Sequence, residues 1–138
     1  MKNNASAIWK GTGKEGSGTL KTNSGVLNNT PYSFKSRTEN TAQTNPEELI
    51  AAAHAGCFAM KLSFLFSDAG YTPETIETGS EVTFESGKIT SANLSVKAKI
   101  PGIAQEEFKK IVDDAGQNCP VSQALKAPVT VASATLNA

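Results

Sequence analysis

The chain holds little of what usually announces a function. It has two cysteines and one histidine in 138 residues, too few for a four-ligand zinc site and far too few for a disulfide scaffold. Charge of one sign is missing as well: thirteen Lys plus Arg balance thirteen Asp plus Glu. With neither sign gathered into a block, no broad positive field holds phosphates, and nucleic acid is excluded as a partner. There is no uninterrupted run of 18 or more apolar residues, so no membrane association is predicted. Met1–Ala7 is followed by Ile8-Trp9-Lys10-Gly11 rather than by an apolar signal segment, which predicts a cytoplasmic protein with reduced thiols. A Gly-rich phosphate loop, a Ser/His/Asp arrangement and a metal motif are all lacking, so no nucleotide, flavin or metal cofactor is expected. Without repeats, low-complexity tracts or a linker, residues 1–138 read as a single domain.

What the sequence does contain is a change of grammar near residue 44. Residues 5–40 are rich in Gly, Thr, Ser and Asn, and short apolar pieces alternate there with turn signals such as Asn23-Ser24-Gly25 and Asn28-Asn29-Thr30-Pro31. Three or four short antiparallel strands are predicted, with Trp9 packing on the first. At Thr44-Asn45-Pro46-Glu47-Glu48, Asn45 suits a helix N-cap, Pro46 the first helical position and Glu48 the third. The helix body places Leu49, Ala53, Cys57, Met60 and Phe64 on one stripe, while Ile50, Phe58, Leu62 and Leu65 cover much of the rest. Such a helix is expected to be buried on most sides and to end at Gly70. A hairpin is predicted over 81–85 and 89–100 with its turn at Ser86-Gly87. A helix from Ala104 closed by Gly116, a short helix over 120–126 and a strand over 128–136 follow. The fold class is α+β.

The two cysteines can then be placed. Cys57 lies inside the long helix, where desolvation raises a thiol pKa above its free value of about 8.5. Cys119 precedes Pro120 at the start of the short helix, where unpaired N–H groups favour an anion. They are either two inert thiols or a redox pair, and local electrostatics alone make Cys119 the better nucleophile.

The segments Thr44–Phe58, containing Ala-Ala-His-Ala-Gly-Cys, and Asn118-Cys119-Pro120-Val121-Ser122-Gln123-Ala124-Leu125-Lys126 resemble the two cysteine motifs of the OsmC/Ohr family, the osmotically inducible and organic-hydroperoxide-resistance proteins. Ser24-Gly25-Val26-Leu27-Asn28, Pro31-Tyr32-Ser33-Phe34 with Arg37, and Ile100-Pro101-Gly102-Ile103 extend the resemblance over nearly the whole chain, and the motif wording is that of the OsmC branch. The resemblance implies antiparallel sheets packed around long central helices in an intertwined homodimer. It also implies a thiol-dependent peroxidase that reduces organic hydroperoxides, and hydrogen peroxide less efficiently, with electrons from a dithiol such as protein-bound dihydrolipoamide.

Carried over residue by residue, the resemblance makes Cys57 the attacking and Cys119 the resolving cysteine. Arg37 becomes the cation that supports the thiolate, and Glu47 the acid that holds Arg37. By themselves Arg37 and Glu47 would read as a surface ion pair. Attack on the distal peroxide oxygen leaves a Cys57 sulfenic acid, with which Cys119 condenses to a disulfide. A guanidinium suits the task because it stays protonated and can donate to the peroxide. Glu47 and Cys57 are ten residues apart, about 15 Å along one straight helix and about 80° round it. To serve one site, the helix must bend, as at Gly56, or Glu47 must act on a partner subunit. His54 reads as a hydrogen-bonded structural histidine rather than a base or ligand. Two other readings stay open: a redox sensor that stops at the disulfide, and a binding module for a lipid-like ligand without turnover.

Overall fold

The computed structural model describes residues 1–39 and 41–137, and the chain forms two compact units, Met1–Leu49 and Ile50–Ala138. In the first, β1 (Ala5–Lys10), β2 (Ser17–Thr22) and β3 (Thr30–Tyr32) make an antiparallel sheet in sequence order. Register sets Trp9, Gly18 and Tyr32 in one row across it, with the two rings tilted at 59° and their centroids 5.3 Å apart. A Cβ on Gly18 would stand 2.6 Å from both rings, so glycine is what lets them close over β2.

The strand pattern of residues 5–40 gives way to one helical turn, α1 (Lys35–Thr38). Ser33 and Ser36 start it by exchanging caps: the Ser33 N–H donates to Ser36 Oγ at 3.1 Å, and the Ser36 N–H to Ser33 Oγ at 3.3 Å. This is the reciprocal logic of a capping box with serine at both places.

The long helix α2 (Pro46–Asp68) begins where the sequence sets it. Asn45 Oδ1 accepts the Glu48 N–H at 2.8 Å, while the Glu48 carboxylate takes the Thr44 hydroxyl at 2.7 Å. α2 runs unbroken through Gly56. It ends in a Schellman motif: Gly70 has φ +93°, its N–H bonds the Ser67 carbonyl, and the Tyr71 N–H bonds that of Phe66.

The expectation of burial on most sides of α2 is corrected within this chain. One stripe, His54, Phe58, Leu62 and Phe66, is fully buried. Met60 and Phe64, on the face read as most apolar, are 64% and 65% exposed. The helix has two apolar faces, and the chain's own core covers one. By length and composition α2 is also apolar enough to cross a membrane: an 18-residue window averages 1.6 in hydropathy, with 22% of it buried. A count of uninterrupted apolar runs misses this because His54, Gly56, Lys61 and Ser63 break the run while the Leu, Ile, Phe, Met and Ala residues around them keep the mean high.

In the second unit β5 (Lys88–Lys99) is central, between β4 (Thr75–Glu85) and β6 (Val129–Asn137). The turn residues Ser86 and Gly87 have φ of +50° and +79°, the type I′ geometry that matches strand twist. β4 starts six residues before the predicted strand, since its first half is polar and contains Gly79, which pairs with Ser95. β5 and β6 pair in parallel, because the connection between them is a helical crossover of α3 (Gln105–Asn118) and α4 (Pro120–Ala124). Ala92, Leu94, Val96 and Ala98 alternate into the core, where Phe108, Val112 and Ala115 of α3 also lie. Phe66 stacks on Phe108 with centroids 5.9 Å apart. Burial of each of the larger of these side chains, the Leu, Val and Phe, contributes about 1.5–3 kcal/mol.

Gly116 does not close α3, which continues to Asn118. It is a packing glycine: a Cβ there would lie 2.7 Å from Val131 Cγ2 on β6. Gly116→Val should therefore destabilise the fold by about 2 kcal/mol through overpacking, read as a lower midpoint in urea at unchanged slope. A midpoint equal to wild type would mean that α3 and β6 can move apart freely.

Candidate active site

Four sequence-selected residues form two pairs, one in each unit. In the first unit Arg37 projects from α1, and Glu47 stands in the first turn of α2. Asn45 joins the two elements: its Nδ2 donates to the Ser36 carbonyl at 2.8 Å while its Oδ1 caps α2. The Arg37 Nε–H then donates to both Glu47 carboxylate oxygens, at 3.0 and 3.1 Å. Their side chains are 33% and 11% exposed, so this is no mere surface ion pair. Glu47 also lies at the positive end of α2. Arg37 lines a groove of about 660 Å³ with Trp9, Tyr32 and Phe34. The caps at Ser33, Ser36 and Asn45 thus aim a guanidinium at an aromatic groove.

In the second unit Cys57 is half-buried and Cys119 fully buried, both as free thiols. Cys57 opens on an apolar groove of about 540 Å³ lined by Ala53, Gly56, Met60, Phe64 and Pro120. Burial pushes the Cys57 thiol up from its ordinary value. Against that, a hydrogen bond from the Val121 backbone favours the anion; the neighbouring Cys119 thiol pushes upward again, and the Lys61 ammonium pulls weakly down. Cys119 thus stands close enough to Cys57 to affect its thiol. Cys119 closes α3 and caps α4, so the negative end of a fourteen-residue helix meets the positive end of a five-residue one there. The expected helix-end advantage of Cys119 shrinks accordingly.

Sequence reasoning missed Lys61, although its place four residues after Cys57 on a helix was the available signal. It also missed Ser122, whose Oγ lies 3.1 Å from Cys119 Sγ and 2.7 Å from His54 Nε2. His54 occupies the fully buried stripe of α2, and burial lowers its pKa. It is hydrogen-bonded, as read. Among the described residues no three His, Cys, Asp or Glu side chains gather as metal ligands.

An α+β frame that brings a helix cysteine and an interhelical cysteine together defines a two-cysteine thiol protein. More particularly, the chain belongs to the OsmC-like protein family, whose pattern matches residues 38–134. It is 46% identical over 129 residues to Peroxiredoxin OsmC of Escherichia coli (strain K12), covering 91% of this chain and 90% of that protein. Among solved structures, an organic hydroperoxide resistance protein from Elizabethkingia anophelis aligns with TM-score 0.72 at 25% identity, over 99% of this chain and 97% of the other. An OsmC-like protein from Mycoplasma pneumoniae aligns with TM-score 0.76 over 100% of this chain and 99% of its own, and at 13% identity it speaks for the fold alone.

Proposed function

We propose that this protein is a cysteine-based peroxidase that reduces organic hydroperoxides, and hydrogen peroxide less efficiently, at the expense of a dithiol. The observation that carries this reading is the disposition of Cys57, at once open to an apolar groove and near enough to Cys119 to feel its thiol. The relatives' names, peroxiredoxin and organic hydroperoxide resistance protein, supply the substrate class. The Cys57 thiolate attacks the distal peroxide oxygen, the O–O bond breaks, and an alkoxide leaves to become the alcohol. Cys119 then displaces hydroxide from the Cys57 sulfenic acid, forming the disulfide and water, and a dithiol such as protein-bound dihydrolipoamide reopens it by exchange. Apolar walls suit a bulky hydroperoxide better than hydrogen peroxide.

Arg37 and Glu47 complete the site in this reading, and the two units work as one OsmC-like domain over residues 1–138. The active form is a cytoplasmic homodimer. A second copy covers the α2 face of Ala53, Gly56, Met60 and Phe64, which is otherwise an exposed apolar surface. Ten residues of unbroken helix separate Glu47 from Cys57, about 15 Å of rise, so Glu47 and its arginine serve the partner subunit's Cys57.

The test is a steady-state assay with cumene hydroperoxide or hydrogen peroxide, each supplied with dihydrolipoamide or a monothiol. Consumption should track the dithiol supplied and be faster with cumene hydroperoxide. A halt after one equivalent would make the protein a sensor, and no consumption a carrier.

A further inference from the structure

We propose that His54 and Ser122 form a buried relay that takes the proton of Cys119 when it attacks the oxidised Cys57, and so act as positioning residues for disulfide closure. The inference rests on the peroxidase reading and extends it to residues with no part in peroxide reduction itself. Three polar groups from two distant places in the chain meet in the core of the second unit: Cys119 Sγ, Ser122 Oγ at 3.1 Å from it, and His54 Nε2 at 2.7 Å from that oxygen. His54 and Cys119 are wholly buried and Ser122 nearly so.

Two features set this arrangement apart from packing. His54 takes one place in a buried stripe otherwise made of Phe58, Leu62 and Phe66, a position where a hydrocarbon side chain would be satisfied without partners. Its Nδ1 has no hydrogen-bond partner among the described residues, so burying the ring leaves one nitrogen unpaired. The arrangement is thus held by the contact at Nε2, which runs toward the thiol. Burial also keeps the ring neutral, the form able to accept a proton.

Cys119 has no open route to water for its proton. With the ring proton on Nδ1, Nε2 accepts the Ser122 hydroxyl, and Ser122 Oγ in turn accepts from Cys119. As Cys119 Sγ attacks the sulfenic sulfur, its proton moves to Ser122 Oγ and the serine's own proton to His54 Nε2. The S–S bond forms, the S–O bond of the sulfenic acid breaks, and hydroxide leaves. That hydroxide leaves on the side of Cys57 Sγ opposite Cys119 and takes a proton from water in the groove, and the imidazolium later gives its proton back to water, so that overall thiol plus sulfenic acid yield disulfide plus one water. The sulfenic sulfur is reduced and the thiol sulfur oxidised, with no other reactant. Delay at this step leaves the sulfenic acid open to a second peroxide and to sulfinic acid.

Rapid mixing of the reduced full-length protein with one equivalent of cumene hydroperoxide, quenched and read by mass spectrometry, separates the two steps. Ser122→Ala removes one oxygen and should form the Cys57 sulfenic acid at the wild-type rate, yet close the disulfide about 10²-fold more slowly, the lower end of what a placed proton acceptor supplies. Excess peroxide should then drive it to sulfinic acid. Ser122→Thr, which keeps the hydroxyl, should restore closure, and His54→Asn should match the slow closure of Ser122→Ala. Closure at the wild-type rate in Ser122→Ala, or equal slowing of both steps, overturns the relay and leaves the peroxidase reading standing. No sulfenic acid at Cys57 in the wild type overturns both.

Discussion

Cys57→Ser is expected to consume no hydroperoxide above background, whereas Cys119→Ser should consume one equivalent and stop, with a trappable sulfenic acid on Cys57. Local electrostatics point to Cys119 as the attacking thiol, and access is the argument for Cys57. Cys119 is fully buried, while Cys57 is half-exposed at an apolar groove. A bulky hydroperoxide can place its distal oxygen in line with Cys57 Sγ without opening the core; to reach Cys119 it would have to displace packed side chains. The Cys119 thiol also acts on that of Cys57, which makes Cys119 the candidate partner for the oxidised sulfur. Peptide mapping after one equivalent of hydroperoxide checks both variants. Oxidation of Cys119 in Cys57→Ser at the wild-type rate would reverse the assignment.

The parts of this fold that were legible in the sequence are those decided by neighbours in the chain. Asn45 caps α2, Gly70 ends it with positive φ, and Ser86-Gly87 turns the hairpin, each for a reason contained within a few residues. What depends on distant partners was not legible. The first half of β4 has little strand character of its own and is held by pairing with β5. The parallel direction of β6 follows from a crossover, not from anything in Val129–Asn137. Gly116 read as a stop because glycine often is one, yet its reason is Val131 on a strand formed later in the chain. The site divides in the same way. Both thiols and the Arg37–Glu47 pair were found through the resemblance, and Lys61 was within reach of helical spacing. Ser122, by contrast, meets His54 across 68 residues, a contact no local pattern announces.

Arg37→Ala should slow hydroperoxide reduction by about 10²-fold, the scale of a charge-assisted hydrogen bond worth roughly 1.5–3 kcal/mol. Burial pushes the Cys57 thiol up, so a site that depends on the anion needs a cation that never gives up its proton, and a guanidinium meets that need. If Arg37 stands beside the thiolate as proposed, removing it takes stabilisation away from the anion and not the thiol, so the Cys57 pKa should rise and less anion be present at a given pH. The rate of alkylation of Cys57 against pH should accordingly move to higher pH in Arg37→Ala. Arg37→Lys should recover little, because a point charge on a flexible stem cannot keep the Nε contact to Glu47 and present further donors at once. Glu47→Ala should show the same change more mildly, about tenfold, since it removes what holds the arginine at 3.0 Å rather than the arginine itself. If that is its role, adding Glu47→Ala to Arg37→Ala costs nothing more, because there is no guanidinium left to orient. An alkylation profile for Arg37→Ala that superimposes on the wild type removes Arg37 from the mechanism, and Glu47 with it.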